Sequence, residues 1–246
     1  MSIPKIIHYC WFGGGPISAE SQKCMESWKK YCPDYKIIEW NDQNFDISTN
    51  RYAQQAYEAK KYAFVSDYVR LAVLYEYGDI YLDTDVELVR PLDELLELPG
   101  FMGFQTNNEV ATGLGFGARK GNSVVQALLR DYDALDFLKA DGSADLTPCP
   151  ERNTRVLQAL GVRKDGTRQS IAEMEIFPAE YFCPMDFYSR ELRVTPKTYS
   201  IHRYAESWKP KPSAVSRILQ RLLKKHYYTW YCPLRGRIEG RLRKRT

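Results

Sequence analysis

Residues 5–12 (KIIHYCWF) are rich in β-branched and aromatic side chains and stop at Gly13-Gly14-Gly15-Pro16. That pattern predicts a buried strand running into a flexible loop. Residues 21–31 (SQKCMESWKKY) change period: Cys24, Trp28 and Tyr31 share one helical face, and Pro33 ends the segment. Residues 35–40 (YKIIEW) return to strand. Strand, helix, strand in that order predicts a parallel βαβ unit and therefore an α/β class.

Residues 51–77 read as helix in two pieces, the second with Phe64, Tyr68, Leu71, Val73, Leu74 and Tyr75 as apolar positions. Gly78 follows as the natural stop, because helices often end on a residue at positive φ. Residues 79–85 (DIYLDTD) then alternate, with Ile80 and Leu82 on one side and Tyr81 on the other. Short strands are expected within GFMGFQ (100–105), GLGFGA (113–118), EIFP (175–178) and TYSIHRY (198–204), and helical turns within 123–135 and 154–160. KPKP (209–212) is the best boundary, dividing a main domain (1–208) from a C-terminal extension (209–246).

Charge sharpens that division. The 246-residue chain carries a formal +4, yet residues 209–246 hold 12 Lys/Arg and one acid, a net +11, which leaves −7 for the first 208. In the extension, Val215, Ile218, Leu219, Leu222, Leu223 and Tyr227 recur at helical spacing between Arg217, Arg221, Lys224 and Lys225. A basic amphipathic helix beside aromatics suits an anionic membrane surface. A helix packed on the body with a solvated basic face is the other reading, and no nucleic-acid-binding motif accompanies the charge. Six cysteines without a CxxC pair predict reduced, buried thiols rather than a disulfide framework or a zinc site. No secretory signal pattern opens the chain and no apolar run approaches the ~20 residues of a spanning helix. The expected location is cytoplasmic, at most peripheral to the inner face of the cell membrane.

Asp83 and Asp85 carry the candidate chemistry. If the strand continues through them, side chains at i and i+2 point the same way and the two carboxylates converge. Like charges that close are costly unless a proton or a cation lies between them, and hard divalent ions take such oxygen ligands. A solvated acidic turn is the bland reading. Asp67 and Arg70 are i, i+3 neighbours on one helical face, either a surface ion pair of little weight or a pair set over the site. His202 is a structural strand residue or a third metal ligand, which would favour Mn²⁺ over Mg²⁺. Trp11 belongs to the core or offers its indole face to a planar ligand.

Taken together, IPKIIHYCWFGGG, SWKKYCPDYKIIEW, FVSDYVRLAVLYEYGDIYLDTDVELVRPLDELL and IHRYAESW resemble glycosyltransferase family 32 in order and spacing. That family includes bacterial capsular and lipopolysaccharide sugar transferases and, more distantly, the clostridial glucosylating toxins. The resemblance implies a GT-A fold, a Rossmann-like mixed sheet flanked by helices, and a nucleotide-sugar donor, with UDP the expected nucleotide. It implies that Trp11 stacks on the base, with Ser66 and Tyr81 lining the donor pocket. Asp67 and Arg70 would hold the donor sugar. Asp83 and Asp85 would take Mn²⁺ or Mg²⁺, with His202 or Ser207 as a further ligand and Trp208 on the β-phosphate. The implied catalytic set is Asp67, Arg70, Asp83 and Asp85, acting with retention on a glycan or lipid-linked acceptor in cell-surface polysaccharide synthesis. The sequence departs from the family at Gly78-Asp79, where Gly-Gly is usual, a change expected to alter only a turn. Residues 101–198, where acceptor contacts belong, match weakly.

Two rivals follow from the same residues. An apolar strand followed by DxD also opens the haloacid-dehalogenase phosphatases, with Asp83 as nucleophile and Asp85 as general acid, but that fold puts the motif near the chain start and needs a later GDxxxD. A non-catalytic nucleotide- or carbohydrate-binding module is the second.

Overall fold

The computed structural model describes residues 2–187 and 189–205. Ser207, Trp208 and the basic extension, with the readings attached to them, lie outside the described residues. In chain order the elements are β1 (Ile6–Cys10), α1 (Ala19–Tyr31), β2 (Lys36–Trp40), α2 (Arg51–Glu58), α3 (Tyr62–Tyr77), β3 (Asp79–Tyr81), β4 (Val86–Leu88), β5 (Gly100–Phe104), β6 (Val110–Ala111), β7 (Phe116–Ala118), α4 (Ser123–Asp133), α5 (Cys149–Ala159), β8 (Gln169–Ile171), β9 (Met174–Phe177), α6 (Ala179–Phe182) and β10 (Ser200–His202).

Eight strands form one mixed sheet in the order β2-β1-β3-β7-β5-β9-β8, with β6 beside β5. The β1, β2 and β3 strands run parallel, β7 is antiparallel to both β3 and β5, and β5 and β9 are parallel. The opening βαβ unit and the α/β class are as the residue pattern predicts, and the helix-flanked mixed sheet is the GT-A architecture. β4 and β10 leave the main sheet as an antiparallel ribbon, Val86 opposite His202.

Both faces of the sheet are covered, which is why its strands read as apolar runs. Cys10, Tyr81, Met102, Phe104 and Ile176 face a core made with α2, α3, α4 and α5. Ile7, Tyr9, Ile80, Phe101 and Phe177 face a second core with α1, α6 and the ribbon. Ile80 and Leu82 belong to one core and Tyr81 to the other, as their alternation predicts.

Two helices set the geometry of the region after β3. The N-cap Ser18 accepts from Ser21 N–H, which starts α1, and Cys24 and Trp28 are its buried stripe. The Trp28 indole N–H donates to Val86 O at 2.7 Å and Ser27 Oγ accepts from Leu88 N–H at 2.8 Å. So α1 fixes β4 directly after the two aspartates, and Trp28→Ala would cost about 3–5 kcal/mol through the cavity and the lost bond. The break at residues 59–61 separates α2 from α3, and Gly78 ends α3 at φ 80°. Residues 154–160, expected as an isolated helical turn, are the second half of α5, which starts five residues earlier behind Pro148. Pro at a helix start costs nothing, and the polar CPERN segment hides its burial from a hydrophobicity count.

Asp79 does more than alter a turn. It holds φ 77°, a conformation costly for a residue with a Cβ, and its carboxylate Oδ2 lies 2.9 Å from His8 Nε2 in the interior. Trp40 Nε1–H donates to His8 Nδ1 at 3.1 Å, so the proton facing Asp79 is on Nε2. A polar trio thus ties β1, β2 and β3 together.

Candidate active site

Parallel strands bring their carboxyl ends to one edge, and ligands of open α/β sheets bind there. Trp11 follows β1, residues 41–46 follow β2, and the two aspartates follow β3. The strand does not continue through Asp83 and Asp85 as expected. β3 ends at Tyr81, and residues 82–85 form a turn closed by Val86 N–H on Asp83 O at 3.0 Å. The carboxylates therefore converge through a turn rather than through strand alternation. Leu82 N–H on His8 O and Asp83 N–H on Gly113 O secure its entry.

One guanidinium organises the first half of the site. Arg70 lies almost wholly buried on α3, and its Nη2 bridges Asp67 Oδ1 at 3.0 Å and Asp83 Oδ1 at 3.1 Å. Its Nε donates to Ser66 O at 3.1 Å, and its plane lies 5.1 Å over the Tyr81 ring. The Tyr81 hydroxyl donates to Asp83 Oδ1 at 3.0 Å. This is a buried network, and the surface-pair reading of Asp67 and Arg70 falls. The Ser66 hydroxyl bonds its own helix at Tyr62 O.

The second half is closed by the ribbon. His202 Nε2 lies 3.3 Å from Asp85 Oδ1, Ala205 N–H donates to Asp85 Oδ2 at 2.8 Å, and Arg203 N–H donates to Asp85 O at 2.9 Å. Ligand atoms of Asp83, Asp85 and His202 lie within 4.8 Å of one another, about the span of one octahedral coordination sphere. The set of two carboxylates and one imidazole fits a divalent cation with mixed oxygen and nitrogen preference. His202 Nδ1 is buried with no partner among the described residues.

The charges are poised for a cation. Burial pushes the Asp83 carboxyl up despite Arg70 beside it, and Asp85 adds to the rise. Burial also pushes Asp67 up, to about 6, against the pull of Arg70. Asp85 goes the other way: burial opposes ionisation, but the His202 imidazole and the Ala205 N–H outweigh it and bring Asp85 to about 2. His202 is raised in turn, burial being overcome by Asp85. Asp67 and Asp83 thus share one guanidinium, while Asp85 pairs with His202 across the ribbon.

Trp11 stands at the same edge, half-buried, with its indole N–H on Gly15 O at 2.6 Å. The glycine loop folds back there, and a Cβ at Gly13 would fall inside the Tyr62 ring. Sequence reasoning missed the wall behind the site. A Cβ on Gly113 would fall inside the Asp83 carboxylate and 3.1 Å from Arg70 Nη1, so the loop before β7 approaches only because residue 113 lacks a side chain. Cys149, Asn153 and Thr112 back Arg70 from α5 and the same loop. Gly113 and Gly115, just ahead of β7 in the segment expected to hold a strand, are the signal the sequence offers for this close approach.

The sheet turns a DXD pair, an Asp–Arg pair and a tryptophan to its carboxyl edge, the arrangement that the resemblance to sugar transferases implies. Residues 18–101 match the family described as glycosyltransferase sugar-binding region containing DXD motif. Over those residues the chain is similar to the DXD sugar-binding region of glycosyltransferases, which speaks against the phosphatase reading. Inositol phosphoceramide mannosyltransferase 3 of Schizosaccharomyces pombe is 29% identical over 151 residues, 55% of this chain and 39% of that protein. Mannosyl phosphorylinositol ceramide synthase SUR1 of Saccharomyces cerevisiae is 32% identical over 111 residues, 41% of this chain and 27% of that protein. Among solved structures, the PaToxG glycosyltransferase aligns over 64% of this chain and 69% of its own, at 21% identity and a TM-score of 0.48. The chain spans well under half the length of these two curated relatives.

Proposed function

We propose that this chain is a metal-dependent, retaining glycosyltransferase that moves a hexose from a nucleotide sugar to a glycan or lipid-linked acceptor. The observation that carries the reading is the convergence of Asp83, Asp85 and His202 within one coordination sphere beside the Asp67–Arg70 pair. Asp83, Asp85 and His202 would hold Mn²⁺ or Mg²⁺, and the imidazole favours Mn²⁺. A cation bound there supplies the positive charge that a departing nucleoside diphosphate requires.

The chain's own groups do the rest. Arg70 and Asp67 present a donor and an acceptor to the hydroxyls of the donor sugar. Tyr81 and Arg70 keep Asp83 Oδ1 occupied, so that carboxylate orients rather than attacks. Asp67 is likewise held by Arg70. With neither carboxylate free as a covalent nucleophile, attack from the face the diphosphate leaves accounts best for retention, the acceptor proton passing to a leaving phosphate oxygen. Trp11 would stack on the base, for which UDP remains our choice, and Ser207 and Trp208 would close over the diphosphate.

The names of the fungal relatives describe mannosyl transfer to an inositol phosphoceramide, which supports a hexose donor and a lipid-borne acceptor here. A role in capsular or other cell-surface polysaccharide synthesis rests on the resemblance alone. The same reading keeps the enzyme at the cytoplasmic face, its basic extension against anionic lipid. No helix among the described residues is long and apolar enough to cross a membrane. Vesicle flotation tests the extension: intact protein should float with anionic vesicles and protein lacking residues 211–246 should not.

The activity test is a panel of UDP- and GDP-linked hexoses with and without Mn²⁺. Nucleoside diphosphate release that needs the metal supports the proposal. Binding of a nucleotide sugar without release supports a non-catalytic module, and no binding at all overturns the reading.

A further inference from the structure

Cys149 is the first residue of α5, almost fully buried, and the wall behind Arg70 to which it belongs has no role yet in the reaction. Its thiol serves both members of the donor-sugar pair: its Sγ lies 3.9 Å from Arg70 Nη1, and it draws the Asp67 carboxyl down against burial. It is held in turn from behind. Thr112 Oγ1 lies 3.3 Å away and Asn153 Nδ2 donates to Sγ at 3.2 Å. Asn153 Nδ2 also donates to Thr112 Oγ1 at 3.1 Å, closing a three-membered polar ring whose members are all buried.

We propose that Cys149 is a positioning residue, the node through which the Thr112–Asn153 wall sets the orientation of Asp67 and Arg70 toward the sugar. This rests on the reading of Asp67 and Arg70 as the donor-sugar pair. Arg70 already spends Nε on Ser66 O and Nη2 on two carboxylates, so Cys149 meets the remaining arm of the fork. Asp67 shares its Arg70 contact with Asp83. From the α5 side the thiol opposes the pull of Asp83 on that guanidinium. Burial pushes the thiol up to about 12, so it stays protonated and able to donate. A smaller hydroxyl would keep a polar contact and loosen the fit, whereas a methyl would take the sulfur contact from the buried pair.

The role predicts a separation that a merely structural residue would not give. A nucleoside diphosphate lacks the sugar and so does not touch Asp67 or Arg70, while the nucleotide sugar does. Calorimetric titration of the full chain in Mn²⁺, with UDP, UDP-glucose, UDP-galactose and GDP-mannose as probes, reads both. Cys149→Ala should weaken nucleotide-sugar binding relative to diphosphate binding by about tenfold, the effect of one hydrogen bond to a charged group. Cys149→Ser should recover most of that ratio. An unchanged ratio in Cys149→Ala, or parallel loss of both ligands with a lowered melting temperature, overturns the proposal and leaves the functional reading standing. Failure of the wild-type chain to bind any nucleotide sugar overturns both.

Discussion

Asp67→Asn tests whether the site holds charge at the expense of stability. The Asp67 carboxyl is 13% exposed, and burial lifts it from an ordinary 3.8 to about 6. The folded state therefore keeps a proton on Asp67 that the unfolded chain gives up. For a group raised on folding, the stabilising contribution is complete below the unfolded value and is lost as pH rises through the folded one. Wild-type stability should thus fall between about pH 4 and 6 and level off above. About two pH units at roughly 1.4 kcal/mol each gives ~3 kcal/mol, an upper figure because Arg70 relaxes toward the ionised form. Asn takes no charge and escapes the penalty. Urea unfolding of both proteins in chelator, from pH 4 to 8, should give an Asn variant that gains about 2–3 kcal/mol on wild type across that interval. The same variant should turn over donor at least tenfold more slowly, since it presents an amide where the sugar hydroxyls need an acceptor. A stability difference that stays flat with pH would refute the reasoning.

Gly113→Ala should reduce donor turnover by about a hundredfold or more, because the added methyl displaces Asp83. Its melting temperature should stay within a few degrees of wild type, so a parallel loss of fold would count against the positional account. Asp79→Ala should cost about 2–4 kcal/mol in urea, from the buried His8 left unpaired while the strained φ stays. Asp79→Gly loses the same partner but relieves the strained φ, so it should cost about 1 kcal/mol less. Equal values for the two would show that φ 77° carries no penalty there.

The β1–α1–β2 opening was legible because each element has an unmixed period and a plain stop, Gly13 or Pro33. The α2–α3 break and the Gly78 cap were legible for the same reason. The cluster of Asp67, Arg70, Asp83 and Asp85 could be named from spacing and family resemblance, but its geometry could not. The turn at residues 82–85 depends on hydrogen bonds to His8 and Gly113, which lie far off in sequence. The burial of Arg70 depends on α5, a helix whose polar face hides its role from any hydrophobicity pattern. Asp79 looked like a loose substitution for glycine because its partner His8 sits 71 residues earlier on another strand. Long-range polar pairing leaves no periodic trace.

The central claim is that Asp83, Asp85 and His202 form a single divalent-cation site that serves the sugar donor. Mn²⁺ titration followed by electron paramagnetic resonance, in the presence of a nucleoside diphosphate, measures that site directly. Wild type should bind one Mn²⁺ per chain, Asp85→Ala should lose that binding with its fold intact by circular dichroism, and His202→Ala should weaken it by about ten- to a hundredfold. Unchanged Mn²⁺ binding in Asp85→Ala would contradict the account.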